Sequence, residues 1–491
     1  MSRLLQPTED LQAGDLPPKT LSNWQMTGPG AILVGLSIGA GEIIIWPRMV
    51  AEHGATIIWA AFWGVFLQLW INLEVGRWTI ATGETVYSSF SRVWRGFAPL
   101  FILFNVLGWL APGWARASGS ALKALLVGPD WHMHSASTGV TSAADFWGTD
   151  TCWTAITFAL VALALFGPKV VYQSVERTIE VLVIIVVVGL ASVAVAVGTK
   201  ETTWAMAQGL TRFGQIPDGL NAKDLFIAVV FAGAGGTANL FYTFYLRDKH
   251  IGMGARIPSM TNALRGRSEK IPTTGFRYAD TEQNGRRFSD WWSFIWQDQL
   301  LFFLLLNCFT LMLFIYGALA VLHPQGRVPE AGRLIWDEAQ ILNQVWGPVG
   351  RTIFLCVGLA TLFSTQLAVV DGVARSLADI IYTSFPAARC REVSWWYLVV
   401  AGLWIVVGIG LTAVLEFCQI NELGFLFNAA YMGGFAMAVY VPLLLYVNLR
   451  YLPRSARPGW INVVMMLGAS LVYLGFAARC IAWELSRALA F

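Results

Sequence analysis

Glu42 is a carboxylate set in an apolar run, GPGAILVGLSIGAGEIIIWPRMV, directly after Gly39, Ala40 and Gly41. A carboxylate near the centre of a bilayer costs about 2.5–3.5 kcal/mol on insertion scales, so such a group faces a cavity or a partner. A second run, FIAVVFAGAGGTANLFYTFYL, is interrupted by Gly233, Gly235 and Gly236, with Thr237 and Asn239 just beyond. Where a helix unwinds, carbonyls at the end of the first half can ligate a cation. N–H groups at the start of the next can hold an anion. Glycine also serves close packing of membrane helices, and a single Gly-x-Gly carries little weight. Two such interruptions with a carboxylate beside one of them carry more.

The elements that position these residues are membrane spans. The chain has 491 residues, of which 56% are hydrophobic and 13% charged, with a mean hydropathy of +0.57; soluble domains carry roughly 25% charged residues. Apolar runs of bilayer length recur from Gly28 onward and predict eleven spans, near residues 28–51, 56–80, 97–125, 152–168, 178–199, 224–247, 294–322, 349–382, 396–416, 421–448 and 459–486. We expect an amino-terminal segment, 1–27, followed by a single transmembrane domain, 28–491. The first 27 residues lack the apolar core of a cleavable signal. The six cysteines are scattered without metal-clip spacing. His132 and His134 form an H-x-H in a loop, a pattern more often solvated than metallated. No cofactor and no nucleic acid is expected; the partners are the bilayer and a small ion or small-molecule substrate.

The connection between spans six and seven, about 248–290, holds the densest group of basic residues, among them Arg256, Arg265, Arg267, Lys270, Arg277, Arg286 and Arg287. Positive charge marks the cytoplasmic side, and parity then places the amino terminus inside, in a bacterial inner membrane. The two breaks lie five spans apart. Five is odd, so the two halves run through the membrane in opposite directions, as in an inverted five-plus-five repeat, and paired interruptions in such halves point to the substrate site of a secondary transporter. A membrane enzyme would need a nucleophile–base pair or an acid/base cluster at one interface, and none stands out. A channel and a non-transporting sensor stay open as readings of the same breaks.

The sequence resembles the Nramp family of proton-coupled divalent-metal transporters, within the amino acid-polyamine-organocation superfamily. The resemblance runs through Gly28–Gly30 to the position of the family's DPGN motif, through LEVGRWTIATGE of span two, through Ala238–Phe241 against MPHNLY, and through IFLCVGLATLFSTQLAVVDG of span eight against the segment around GQSST. It implies an all-α, LeuT-type fold with helices one and six broken. Asn428 of span ten falls near a glutamine of the family's metal site.

The departures are specific. Gly39, Ala40, Gly41 and Glu42 stand in place of Asp-Pro-Gly-Asn, so a carboxylate appears about one turn late. Gly236, Thr237 and Ala238 replace Met-Pro-His, removing the thioether and imidazole that suit softer metals. The expected ligands are the carbonyls of Gly39 and Gly233 and the Glu42 carboxylate, the expected cargo a hard or hydrated cation of the Mg or Mn type, and the coupling candidates Glu42 and Asp371. The glycine-rich breaks also resemble those of amino-acid transporters of the wider superfamily, so a small organic solute remains the alternative. Asp371 and Arg375, like Glu74 and Arg77, are spaced to pair on one helix face.

Overall fold

The computed structural model describes residues 10–489 apart from 40, 111, 129–146, 169, 262, 265–269, 329–333, 419 and 421. Ala40, His132 and His134 of the sequence reading lie outside these residues, as do Arg265 and Arg267. The chain is helical almost throughout. Among the described residues, eight helical stretches can cross a bilayer by length and composition, and the first, Pro29–Thr82, contains both spans one and two. The shorter Asp150–Phe166 and the two halves of span six, Ala222–Val230 and Tyr242–Asp248, bring the number of spans to the eleven expected.

Side-chain character sorts the spans into an inner and an outer set. The apolar window of Pro29–Thr82 is entirely buried, whereas only 28% of that in span five, Val171–Val197, and 28% of that in span eleven, Trp460–Ser486, is buried. The residues left outside on the peripheral spans are Val195, Phe417, Leu471 and their like, which hydrocarbon, not water, solvates at no cost. Span two, Ile58–Thr82, is buried over most of its length and carries Gln68, Asn72, Glu74 and Arg77 inside the bundle.

Local chemistry fixes the ends. Gly83 takes a left-handed conformation (φ 72°) and stops span two, its N–H donating to the Thr79 carbonyl at 2.8 Å. Thr149, Thr199, Asn221 and Thr281 each accept a backbone N–H at a helix start. Gly347 (φ 60°) followed by Pro348 separates the long span eight, ending at Ser384, from a preceding helical segment.

On one side of the bundle the amino-terminal segment joins the long connection between spans six and seven. Gln12 and Ala13 pair in parallel with Phe276 and Arg277, and Trp291 and Arg287 donate to the carbonyls of Pro17 and Leu16. The segment and the basic connection therefore share a side, as parity of the spans requires.

Candidate functional site: two broken helices

Span one consists of a first half-helix, Pro29–Ser37, then Ile38 and Gly39 out of helical conformation, then a π-helical turn, Gly41–Ile45, leading into Trp46–His53. Span six leaves the helix after Val230, turns through Gly235 (φ 68°) and Gly236 (φ 49°), and resumes as a 3-10 turn, Gly236–Phe241, and a helix from Tyr242. Left-handed backbone at two successive positions is the reason glycine stands at both. The breaks face each other. A side chain on Gly41 would collide with the Phe231 carbonyl, and one on Gly39 with the Thr365 hydroxyl.

The span-six break is clothed by side chains. Gln68 of span two donates through Nε2 to the Val230 carbonyl at 2.8 Å and accepts through Oε1 from the N–H of Gly235 at 3.0 Å and from Asn239 Nδ2 at 3.2 Å. Asn307 of span seven donates to the Ala232 carbonyl at 3.0 Å, and the Tyr440 hydroxyl to that of Gly236 at 2.8 Å. Thr237 donates to Asn105 Oδ1 at 3.0 Å and accepts from Trp109 Nε1 at 2.8 Å. Several of the backbone groups freed by unwinding are thus met by side chains, as burial demands, while Asn239 Oδ1 has no hydrogen-bond partner among the described residues.

Among the described residues, the span-one break is met by side chains of span eight. Ser364 donates to the Gly35 carbonyl at 2.9 Å, and the Gly39 carbonyl accepts from the Ile43 N–H at 3.0 Å. Glu42 is fully buried. Its Oε1 accepts from Thr310 Oγ1 at 3.3 Å, while its Oε2 has no hydrogen-bond partner among the described residues. The Thr310 hydroxyl has a single proton, and the carbonyls of Asn307 and Leu306 lie at 3.1 and 3.2 Å in competition for it. Asn307 Oδ1, one turn away on the same helix, is likewise buried and without a partner, as are Ser37 Oγ and both polar atoms of Gln366. Among the described residues no group of three or more His, Cys, Asp and Glu is gathered as a metal cage.

The other expected residues fall as follows. Gly233, Gly235, Gly236, Thr237 and Asn239 all lie at the span-six break, and a side chain on Gly233 would come within 2.6 Å of Gln68 Oε1. Asn428 is exposed, and it is Gly433 of span ten that packs on the break, with its Cα 3.0 Å from where a Gly236 side chain would begin. Asp371 lies about 9 Å along span eight from Thr365 at 1.5 Å per residue. It is held by both oxygens to Arg375 at 2.9 and 2.8 Å and by the Tyr397 hydroxyl at 2.8 Å. Arg375 also pairs with Asp248, and Arg247 with Asp379 at 3.3 Å. Glu74 and Arg77 pair at 3.0 Å, joined by Asn448 and Asn462.

Sequence reasoning missed Gln68, Asn105, Asn307, Thr310 and Tyr440. It also passed over Asp298, whose carboxylate accepts from the Gly30 N–H at 3.2 Å and the Tyr242 hydroxyl at 2.6 Å, tying the first half of span one to the second half of span six. The signal they share is an uncharged polar side chain, or a carboxylate near a span's end, inside an otherwise apolar run.

No known sequence family matches the chain, and no curated protein matches it in sequence. Its fold does match solved structures. The manganese transporter of Eremococcus coleocola, crystallised with an aromatic bis-isothiourea substituted compound, superposes with a TM-score of 0.60 at 13% identity, over 95% of this chain and 90% of that one. MhsT in complex with L-phenylalanine superposes with a TM-score of 0.51 at 14% identity, over 90% and 95%. At such identities the likeness is one of fold. The chain has the LeuT-type architecture, an inverted five-plus-five repeat of about eleven transmembrane helices with the first and sixth broken.

Proposed function

We propose that this protein is a secondary transporter that moves a hard or hydrated cation, of the Mg or Mn type, through a site at the span-one break. The observation that carries the reading is Glu42, a carboxylate with no exposure and one oxygen without a partner among the described residues, at a broken helix in the middle of the bundle. An unpaired charge in such a place is costly, and a bound cation or a proton relieves it. Ligation by one carboxylate, carbonyls and water suits cations that keep part of their hydration. The carbonyls of Gly39 and Gly233 remain the proposed backbone ligands, and Glu42 or Asp371 the carrier of a coupling proton.

Alternating access accounts for transport on this scaffold. Spans one and six abut at Gly41 and Phe231, so that moving one half-helix against the other changes the side from which Glu42 is reached. The amino terminus and the basic connection are proposed to face the cytoplasm of a bacterial cell, by the excess of Arg and Lys there. The second reading, a small organic solute in the same place, draws on the loss of bulk where Gly236 and Thr237 stand.

Uptake into liposomes decides between them. Purified protein should take up Mn or Mg saturably, and Glu42→Gln should not. Uptake of an amino acid or carboxylate by both proteins, without metal flux, would replace the first reading by the second. Ohmic single-channel currents would remove both.

A further inference from the structure

We propose that Gln68 is a built-in occupant of the span-six break and the residue that turns carboxylate-bearing solutes away from it. The inference rests on reading the two breaks as the substrate site. An unwound helix offers acceptors at the end of its first half and donors at the start of its second, and here these are the carbonyls of Val229 and Val230 and the N–H of Gly235. The Gln68 amide answers both. Its Nε2 donates to Val230 at 2.8 Å, with Val229 at 3.4 Å, and its Oε1 accepts from Gly235 at 3.0 Å and Asn239 at 3.2 Å. The opposite amide orientation would set NH2 against the Gly235 N–H, so the partners assign the one given.

A carboxylate has acceptors only. It could serve Gly235 and Asn239 but would face the two valine carbonyls with like partial charge. The primary amide is the neutral group that matches donors on one side and acceptors on the other. The backbone is shaped to admit this side chain. Gly64, one turn before Gln68, brings span two so close that a side chain there would lie 2.6 Å from Ala232 Cβ and 2.8 Å from the Val229 oxygen. A side chain on Gly233 would lie 2.6 Å from Gln68 Oε1 and 3.0 Å from the Phe303 ring. Tyr440, which donates to the Gly236 carbonyl and accepts from Asn239 at 3.2 Å, closes the remaining side. With this cradle filled by the chain itself, the Val230 carbonyl and the Gly235 N–H are not left to a ligand, and the charge on the Glu42 side selects cations.

The test is a thermal-shift titration of the full-length protein with acetamide, acetate, L-alanine and Mg, on wild type, Gln68→Ala and Gln68→Met. Removing the amide bares the cradle. Acetamide should then raise the melting temperature of Gln68→Ala by on the order of 1 °C, the shift expected of a ligand several-fold above its Kd in a chain of this length. Acetate and L-alanine should gain a smaller response in that variant, and wild type should respond to none of the three. Gln68→Met, which refills the space without polar atoms, should respond to none either. Stabilisation of wild type by L-alanine or acetate would overturn the proposal, as would a Gln68→Ala protein indifferent to acetamide. Should Gln68→Ala fail to fold, the wild-type arm still decides. Mg reports separately on the cation reading, because its effect is assigned to Glu42 and should persist in Gln68→Met; its absence from wild type would sink that reading and leave the role of Gln68 standing.

Discussion

The two broken helices differ in who satisfies them. At span six the carbonyls of Val230, Ala232 and Gly236 and the N–H of Gly235 are each met by a side chain from another span, namely Gln68, Asn307 and Tyr440. At span one the neighbouring carboxylate has an oxygen that nothing among the described residues meets, beside a threonine whose one proton is shared three ways. Unwinding alone therefore does not make a binding site. A break whose freed groups are largely met by side chains leaves fewer of them to a ligand than a break beside a carboxylate oxygen that has no partner among the described residues.

The largest effect expected from breaking this contrast is at Glu42. Glu42→Gln should lower cation uptake by roughly 100-fold or more, on the scale of about 3 kcal/mol for removing one member of a buried charge pair. Its melting temperature without ligand should stay level, because the amide replaces a buried carboxyl of the same shape that has no ionic partner among the described residues. A fall in stability equal to the loss of uptake would make Glu42 a structural residue. Next is Gly236→Val. It forces a β-branched side chain into left-handed backbone 3.0 Å from Gly433 and should cost about 2–4 kcal/mol from strain and overpacking together, seen as poor yield and a lowered melting temperature at every cation concentration.

Tyr440→Phe should be milder, leaving the Gly236 carbonyl without its donor for about 1–3 kcal/mol, again in stability and not in the cation response. Thr310→Val is the smallest in stability, about 1 kcal/mol. It should nevertheless weaken the stabilisation given by a cation several-fold, because the hydroxyl lies at Glu42 Oε1. If Tyr440→Phe and Thr310→Val change cation response equally, the distinction between the two breaks is lost.

Much of this architecture was legible in the chain. Apolar runs of bilayer length located all eleven spans, and glycines in otherwise apolar helices located both breaks, because left-handed backbone at Gly235 and Gly236 leaves a compositional mark. The pairs Glu74–Arg77 and Asp371–Arg375 followed from helical spacing, and they form as expected. What was not legible is the set of side chains that clothe the breaks. Gln68, Asn307 and Thr310 are uncharged, so they add little to the cost of a membrane span and do not stand out as Glu42 does.

Their placement also depends on packing. Asn307 and Thr310 follow a π-helical stretch, Gln299–Leu306, whose wider turns alter the register of the face behind them, and no residue-type pattern announces it. The same limit explains span ten. Asn428 was expected near the site by analogy of position, yet Gly433 and Tyr440, five and twelve residues further on, are what reach the break. Asn428 lies near the end of the helix, exposed.

The most direct test is a thermal-shift titration of the purified protein with Mg and Mn, repeated on Glu42→Gln. Stabilisation by a divalent cation that disappears in the variant is the result expected if the carboxylate at the span-one break holds the ion. Equal stabilisation of both proteins, or none in either while an organic solute stabilises both, would contradict it.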